Sequence, residues 1–151
     1  MNERFERFST AIFEISKHWH KLTADEMKKY DLKGPHSMYL LTMDRYPEGI
    51  TAPKLCELCG KDKSDVSRMM SIMEKKGLVK KEGIHHNLYG GVFKLTDEGK
   101  NAADYVRKRV DIAVELAGKG LSDEKRAVLY EALGQIAYNL RELSKNGIPQ
   151  L

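Results

Sequence analysis

Two kinds of side chain alternate at helical spacing between Lys63 and Lys76. Val66, Met69, Met70 and Met73 fall on one side, and Ser64, Ser67, Arg68, Ser71 and Lys75 on the other. The second face has short hydroxyls and cations and almost no bulk. A helix lying in a DNA major groove needs such a face. Small residues let the backbone approach, and hydroxyl and guanidinium groups reach base edges and phosphates. A polar helix face is by default only a solvated one, so charge must help decide. From Lys61 to Lys81 seven cations face three anions, a local surplus of +4. The whole chain's formal charge is also +4, so the remainder nets to zero and the basic surplus sits on this stretch.

Two other groupings could do chemistry. Cys56 and Cys59 have the spacing of half a zinc site or a redox pair, but these are the only two cysteines. A structural zinc needs about four ligands, so His85 and His86 would have to fold back onto them. Both cysteines also occupy apolar slots of a helix, where Cys acts as a small hydrophobe. His18, Trp19, His20, His36, Tyr39 and Met43 lie where the first two helices could wall a cavity. His18 and His20 point to different faces, so they are poor partners for one metal, and Trp19 reads as core or dimer packing. No phosphate-cradling glycine loop, HExxH or GxSxG is present. The sequence implies no catalytic residue, metal or cofactor.

Several elements must position the basic helix. Phe5, Phe8, Ile12, Ile15, Trp19 and Leu22 step by three and four, which predicts a long amphipathic helix from Glu3 to Tyr30, ended by Gly34-Pro35. A second helix is expected from about His36 to Tyr46, stopped by Pro47-Glu48-Gly49. Ile50 and Thr51 then lead into a short helix, with Thr51 as N-cap, Pro53 in the first turn and Gly60 closing it. Lys61-Asp62-Lys63 turns into the basic helix, which ends at Gly77. Leu78–Lys81 and Val92–Leu95 read as two strands joined through EGIHHNLYGG, a basic hairpin or wing. Thr96 and Ser122 cap two more helices, each with acidic residues in the first turn. The fold class is therefore mainly α with a small β-hairpin wing, a winged helix-turn-helix. Its N- and C-terminal helices carry more apolar stripe than one small core needs, which predicts a symmetric dimer.

At 151 residues, with 41% hydrophobic and 32% charged, the chain is long enough for one such domain. No run approaches the roughly 18 apolar residues of a membrane span. The polar start MNERFERFST is not a secretory signal, and with two cysteines it predicts a reducing cytoplasm.

The order of these elements, the run DKSDVSRMMSIMEKKGLVKK and the segment FKLTDEGK together resemble the MarR family of bacterial transcriptional regulators. The resemblance covers nearly the whole chain. It rests on a recognition helix ending in Leu/Met-x-x-x-Gly-Leu-Val and a second wing strand ending in Leu-Thr-x-x-Gly. It implies a single MarR-like domain over residues 1–151. Residues 36–96 would form the DNA-binding lobe, and 3–30 and 97–146 the dimerisation helices. It further implies a homodimer on a pseudo-palindromic operator, usually a repressor relieved by a small aromatic ligand. Lys63, Ser64, Asp65, Ser67 and Arg68 would face DNA, with Thr51, Pro53 and Lys54 near its backbone and Lys80 and Lys81 at the base of the wing. By the same analogy, His18, Trp19, His36, Tyr39 and Met43 would bind the effector. The family's wing usually carries an Asp-Arg pair, and Asn87 and Leu88 stand there instead. Leu88 cannot make a cationic minor-groove contact. Asn87 can still hydrogen-bond, so wing readout is weaker, shifted to Lys81 or His86, or absent. Two alternatives stay open: a winged-helix protein-interaction module with weak DNA affinity, and a cysteine-based redox or metal sensor.

Overall fold

The computed structural model describes residues 2–83 and 91–151, in the order α1 (Asn2–Met27), α2 (His36–Asp44), α3 (Ala52–Cys59), α4 (Lys63–Lys75), β1 (Val79–Glu82), β2 (Val92–Leu95), α5 (Asp97–Ala117) and α6 (Asp123–Asn146). His85, His86, Asn87 and Leu88 lie outside the described residues. The fold class is the expected one, helices with a two-stranded antiparallel hairpin. The chain divides into two compact units, one ending at Asp111 and one spanning Ile112–Leu151.

In the first unit, local chemistry sets each boundary. α1 stops at Met27, and a 3-10 turn at Lys28–Tyr30 completes the stretch expected as one helix. Thr51 caps α3 by accepting from the Lys54 N–H, and Gly60 closes it in the left-handed conformation at φ 61°. Asp62 caps α4, its carboxylate accepting from the Asp65 N–H at 2.7 Å. Val66, Met69, Met70 and Met73 are the buried residues of α4, as their spacing requires.

Ile50 and Thr51 lead into α3 as expected, and the structure adds a pairing: Ile50 is buried and bridges to Phe93, giving and receiving backbone hydrogen bonds at 3.0 and 2.8 Å. Burying Ile50 in extended backbone at the hairpin edge requires those partners. The first strand begins one residue later than expected. The Leu78 N–H is spent on the Met73 carbonyl (2.9 Å), closing the end of α4, so strand pairing starts at Val79↔Leu95.

The Gly77-Leu78-Val79 and Leu95-Thr96-x-x-Gly99 motifs meet at the junction between the end of α4 and the start of α5. The Thr96 hydroxyl donates to the Gly77 carbonyl at 2.6 Å and accepts from the Gly99 N–H at 3.0 Å. The Thr96 N–H donates to the Leu78 carbonyl at 3.0 Å. A Cβ on Gly99 would lie 1.9 Å from that carbonyl oxygen, so only glycine lets α5 come this close. The core of this unit joins Met27, Tyr39, Leu40, Met43, Leu55, the apolar face of α4, Val79, Phe93, Leu95 and Val106. On α1, Phe5, Phe8, Ile12, Phe13 and Ile15 are exposed.

In the second unit, Ser122 caps α6 by accepting from the Lys125 N–H. Arg126 braces the preceding turn through the Glu115 carboxylate (2.8 Å) and the Gly118 carbonyl (3.0 Å). No residue of α6 is buried, although Leu129, Leu133, Leu140 and Leu143 recur along it. Among the described residues, no helix is long and apolar enough to cross a membrane.

Candidate nucleic-acid interface

The outward side of α4 presents Lys63, Ser64, Ser67, Arg68, Ser71 and Lys75, all exposed. α3, β1 and β2 flank it. Thr51, Ala52 and Pro53 from the start of α3, Lys63, Val66 and Ser67 from α4, and Lys81, Gly91 and Phe93 from the hairpin line one open groove of about 440 Å³. Five residues chosen from sequence (Thr51, Pro53, Lys63, Ser67 and Lys81) therefore share one concave surface. The Lys81 ammonium lies 5.5 Å from the centre of the Phe93 ring, which steadies a long side chain at the rim.

The cations differ in how free they are. Lys54 pairs with Glu57 at 3.5 Å and Lys80 with Glu82 at 3.6 Å, both in exposed positions where such pairs exchange readily with phosphate. Lys63, Lys75 and Lys81 form no salt bridge among the described residues. Arg68 donates from Nη2 to Asp65 Oδ1 at 2.8 Å, with its side chain two-thirds exposed.

Asp65 differs from its expected place facing DNA. Its side chain is only 18% exposed, and both carboxylate oxygens are engaged: Oδ1 accepts from Arg68, and Oδ2 from the Tyr39 hydroxyl at 2.5 Å. The Tyr39 hydrogen bond, followed by that of Arg68, holds this carboxyl below the usual aspartate range. Asp65 thus spends both oxygens on partners within the protein, and Ser64, Ser67 and Arg68 are the exposed donors around it.

The residues expected to wall an effector cavity differ in exposure. His36, Tyr39 and Met43 are at most 1% exposed, in the buried face of α2. His18 is exposed on α1 and Trp19 half-buried. The Tyr39 hydroxyl is already committed to Asp65, and burial pushes its pKa far up. Met43 lines a small cleft of about 130 Å³ with Asp44, Tyr46, Pro47, Leu95 and Lys100. Burial also lowers the His36 pKa, and its Nε2 has no hydrogen-bond partner among the described residues.

Cys59 is buried and its thiol donates to the Thr42 hydroxyl at 3.6 Å, whereas Cys56 is half-buried. Burial raises the Cys59 pKa, which disfavours the thiolate that metal binding and redox chemistry use. Sequence reasoning missed two contributors to this surface, the Asp62 cap and the Tyr39 support. Asp62 had a readable signal, Asp three residues before an N–H of the first turn.

Residues 30–84 match the model of the MarR family. Solved structures share the fold over most of the chain. The transcriptional regulator SlyA is 22% identical, with a TM-score of 0.81 over 89% of this chain and 94% of that one. A protein from Listeria monocytogenes, described as a MarR family transcriptional regulator complexed with 26mer DNA, is 21% identical. Its TM-score is 0.81, over 94% of this chain and 96% of that one. A MarR transcriptional regulator from Methanosarcina mazei Go1 is 17% identical, with a TM-score of 0.79 over 91% of this chain and 99% of that one. Among curated proteins, none matches by sequence. The family that the motifs resemble is thus the one whose model residues 30–84 match, and these structures share the fold.

Proposed function

We propose that this chain, with the MarR family's model over residues 30–84 and the fold of MarR-type regulators throughout, is a DNA-binding transcriptional regulator. It acts in the cytoplasm as a homodimer on a pseudo-palindromic operator, most simply as a repressor released by a small aromatic ligand. The observation that carries this reading is the exposed serine, arginine and lysine face of α4. It is flanked in one groove by the start of α3 and the base of the hairpin.

In this reading Arg68, Ser64 and Ser67 meet base edges. Lys54, Lys63, Lys75, Lys80 and Lys81 meet phosphates, and Thr51 and Pro53 bring the start of α3 against the DNA backbone. Asp65 holds Arg68. The exposed apolar residues of α1 and α6 supply the surface for a second copy, which sets two recognition helices about one turn of DNA apart. An effector acts by favouring a dimer whose helices no longer match successive grooves.

The test is binding of the purified protein to a duplex selected from a random pool, and to DNA upstream of its own gene. Tight, palindrome-centred binding that weakens steeply with salt is expected. Equal affinity for selected and random duplexes at every salt concentration would overturn the regulator reading.

A further inference from the structure

Tyr39 lies in the core, 0% exposed, on a helix that precedes the helix-turn-helix pair. Its hydroxyl nevertheless reaches the recognition helix, donating to Asp65 Oδ2 at 2.5 Å. Asp65 Oδ1 in turn accepts from Arg68 Nη2 at 2.8 Å, and the Asp65 N–H is held by the Asp62 carboxylate at 2.7 Å. One carboxylate thus joins a buried phenol to an exposed guanidinium. An unsupported arginine on a helix surface samples many rotamers, and fixing one before binding removes an entropic cost. A Tyr–carboxylate anchor suits this role because the phenol is immobilised by packing and its burial disfavours ionisation.

We propose that Tyr39 is a specificity-determining positioning residue, which orients Arg68 for base recognition through the Asp65 carboxylate without touching DNA. The inference rests on α4 being the DNA-reading helix. It assigns to a core side chain a share of the discrimination between operator and random sequence. Phosphate contacts do not depend on this relay, because Lys63, Lys75 and Lys81 lie outside it.

The experiment compares the full-length protein with Tyr39→Phe, Arg68→Ala and the double variant. Affinity is measured for the duplex selected by the wild type and for random duplex. Tyr39→Phe keeps the ring and removes only the hydroxyl. The expected result is a loss of about three- to tenfold in operator preference, with random-duplex affinity unchanged and no further loss when Arg68 is already alanine. Asp65→Asn, which keeps the side-chain shape, should lose the same preference. In the free protein, carbon NMR titration should show the Asp65 carboxyl moving up in Tyr39→Phe, which reads the hydrogen bond itself, while the Arg68→Ala background separates a positioning role from a purely structural one. Unchanged preference in Tyr39→Phe overturns the proposal. So does a loss that falls equally on random duplex, or one that persists at full size in the Arg68→Ala background. If the wild type selects no sequence, the regulator reading fails and the proposal with it. The NMR titration then shows separately whether the Tyr39–Asp65 bond exists.

Discussion

In the proposed reading, Arg68 is the side chain on which base recognition depends most. It is exposed, near the start of the recognition helix, and its guanidinium is braced on one side only, leaving donors free. Arg68→Ala should weaken binding to the selected operator by about 1–3 kcal/mol, the range of one good bidentate base contact. Random duplex should lose much less, and an equal loss on both would make Arg68 a phosphate contact. The same cluster predicts a pH effect. Tyr39 and Arg68 hold the Asp65 carboxyl below its unfolded value, so the folded chain binds fewer protons there than the unfolded one in acid. The stabilisation is complete above the ordinary aspartate value of about 3.9 and is lost as pH falls through the depressed one. Urea unfolding should therefore show Tyr39→Phe less stable than wild type by about 1 kcal/mol near neutral pH. That gap should shrink below about pH 4, and a gap of constant size would mean the hydroxyl does not act through an ionised Asp65. Ser64, Ser67 and Arg68 were legible because helical period alone decides which face they occupy. The Tyr39–Asp65 bond spans 26 positions and depends on tertiary packing, so no local pattern carries it.

The elements were legible for the same reason: the signals that start and stop them are local. Thr51, Thr96 and Ser122 cap the helices they were expected to cap, and Gly60 and Gly77 close theirs with positive φ. The Ile50–Phe93 pairing was not legible, because it joins segments more than forty residues apart by backbone alone. Nor did spacing reveal why Gly-Leu-Val and Leu-Thr-x-x-Gly occur together. They form one joint, in which Thr96 ties Gly77 to the start of α5 and Gly99 leaves room for the Leu78 carbonyl. Gly99→Ala tests that joint. Its methyl would meet backbone rather than a movable side chain, so relief requires α5 to shift against the end of the recognition helix. The expected cost is about 1–3 kcal/mol, at the upper end of this overpacking range. Chemical denaturation measures it, and a variant as stable as wild type would show that the close approach is dispensable.

At the scale of the whole molecule, the reading needs two copies. α6 buries none of its residues, yet carries leucines at positions 129, 133, 140 and 143, and α1 exposes Phe5, Phe8, Ile12, Phe13 and Ile15. In the proposed reading, a symmetric partner covers these apolar stripes. Salt dependence of DNA binding then reports the number of copies engaged. Each protomer offers Lys63, Lys75 and Lys81 as cations with no salt bridge among the described residues. Those three contacts release counterions in proportion, so one protomer gives a slope of log K against log salt of about −2.7, and two give about −5.4. Lys54 and Lys80 sit in weak exposed pairs, and with their contacts added the values become about −4.5 for one protomer and about −9 for two. A homodimer on its operator should accordingly lose affinity at least roughly a thousandfold between about 50 and about 200 mM salt. Lys63→Ala should flatten the slope by about 2, because symmetry removes one contact from each half-site. A slope within the one-protomer range, flattened by only about 1 in Lys63→Ala, would mean that a single copy reads the DNA and that the exposed helices serve another contact.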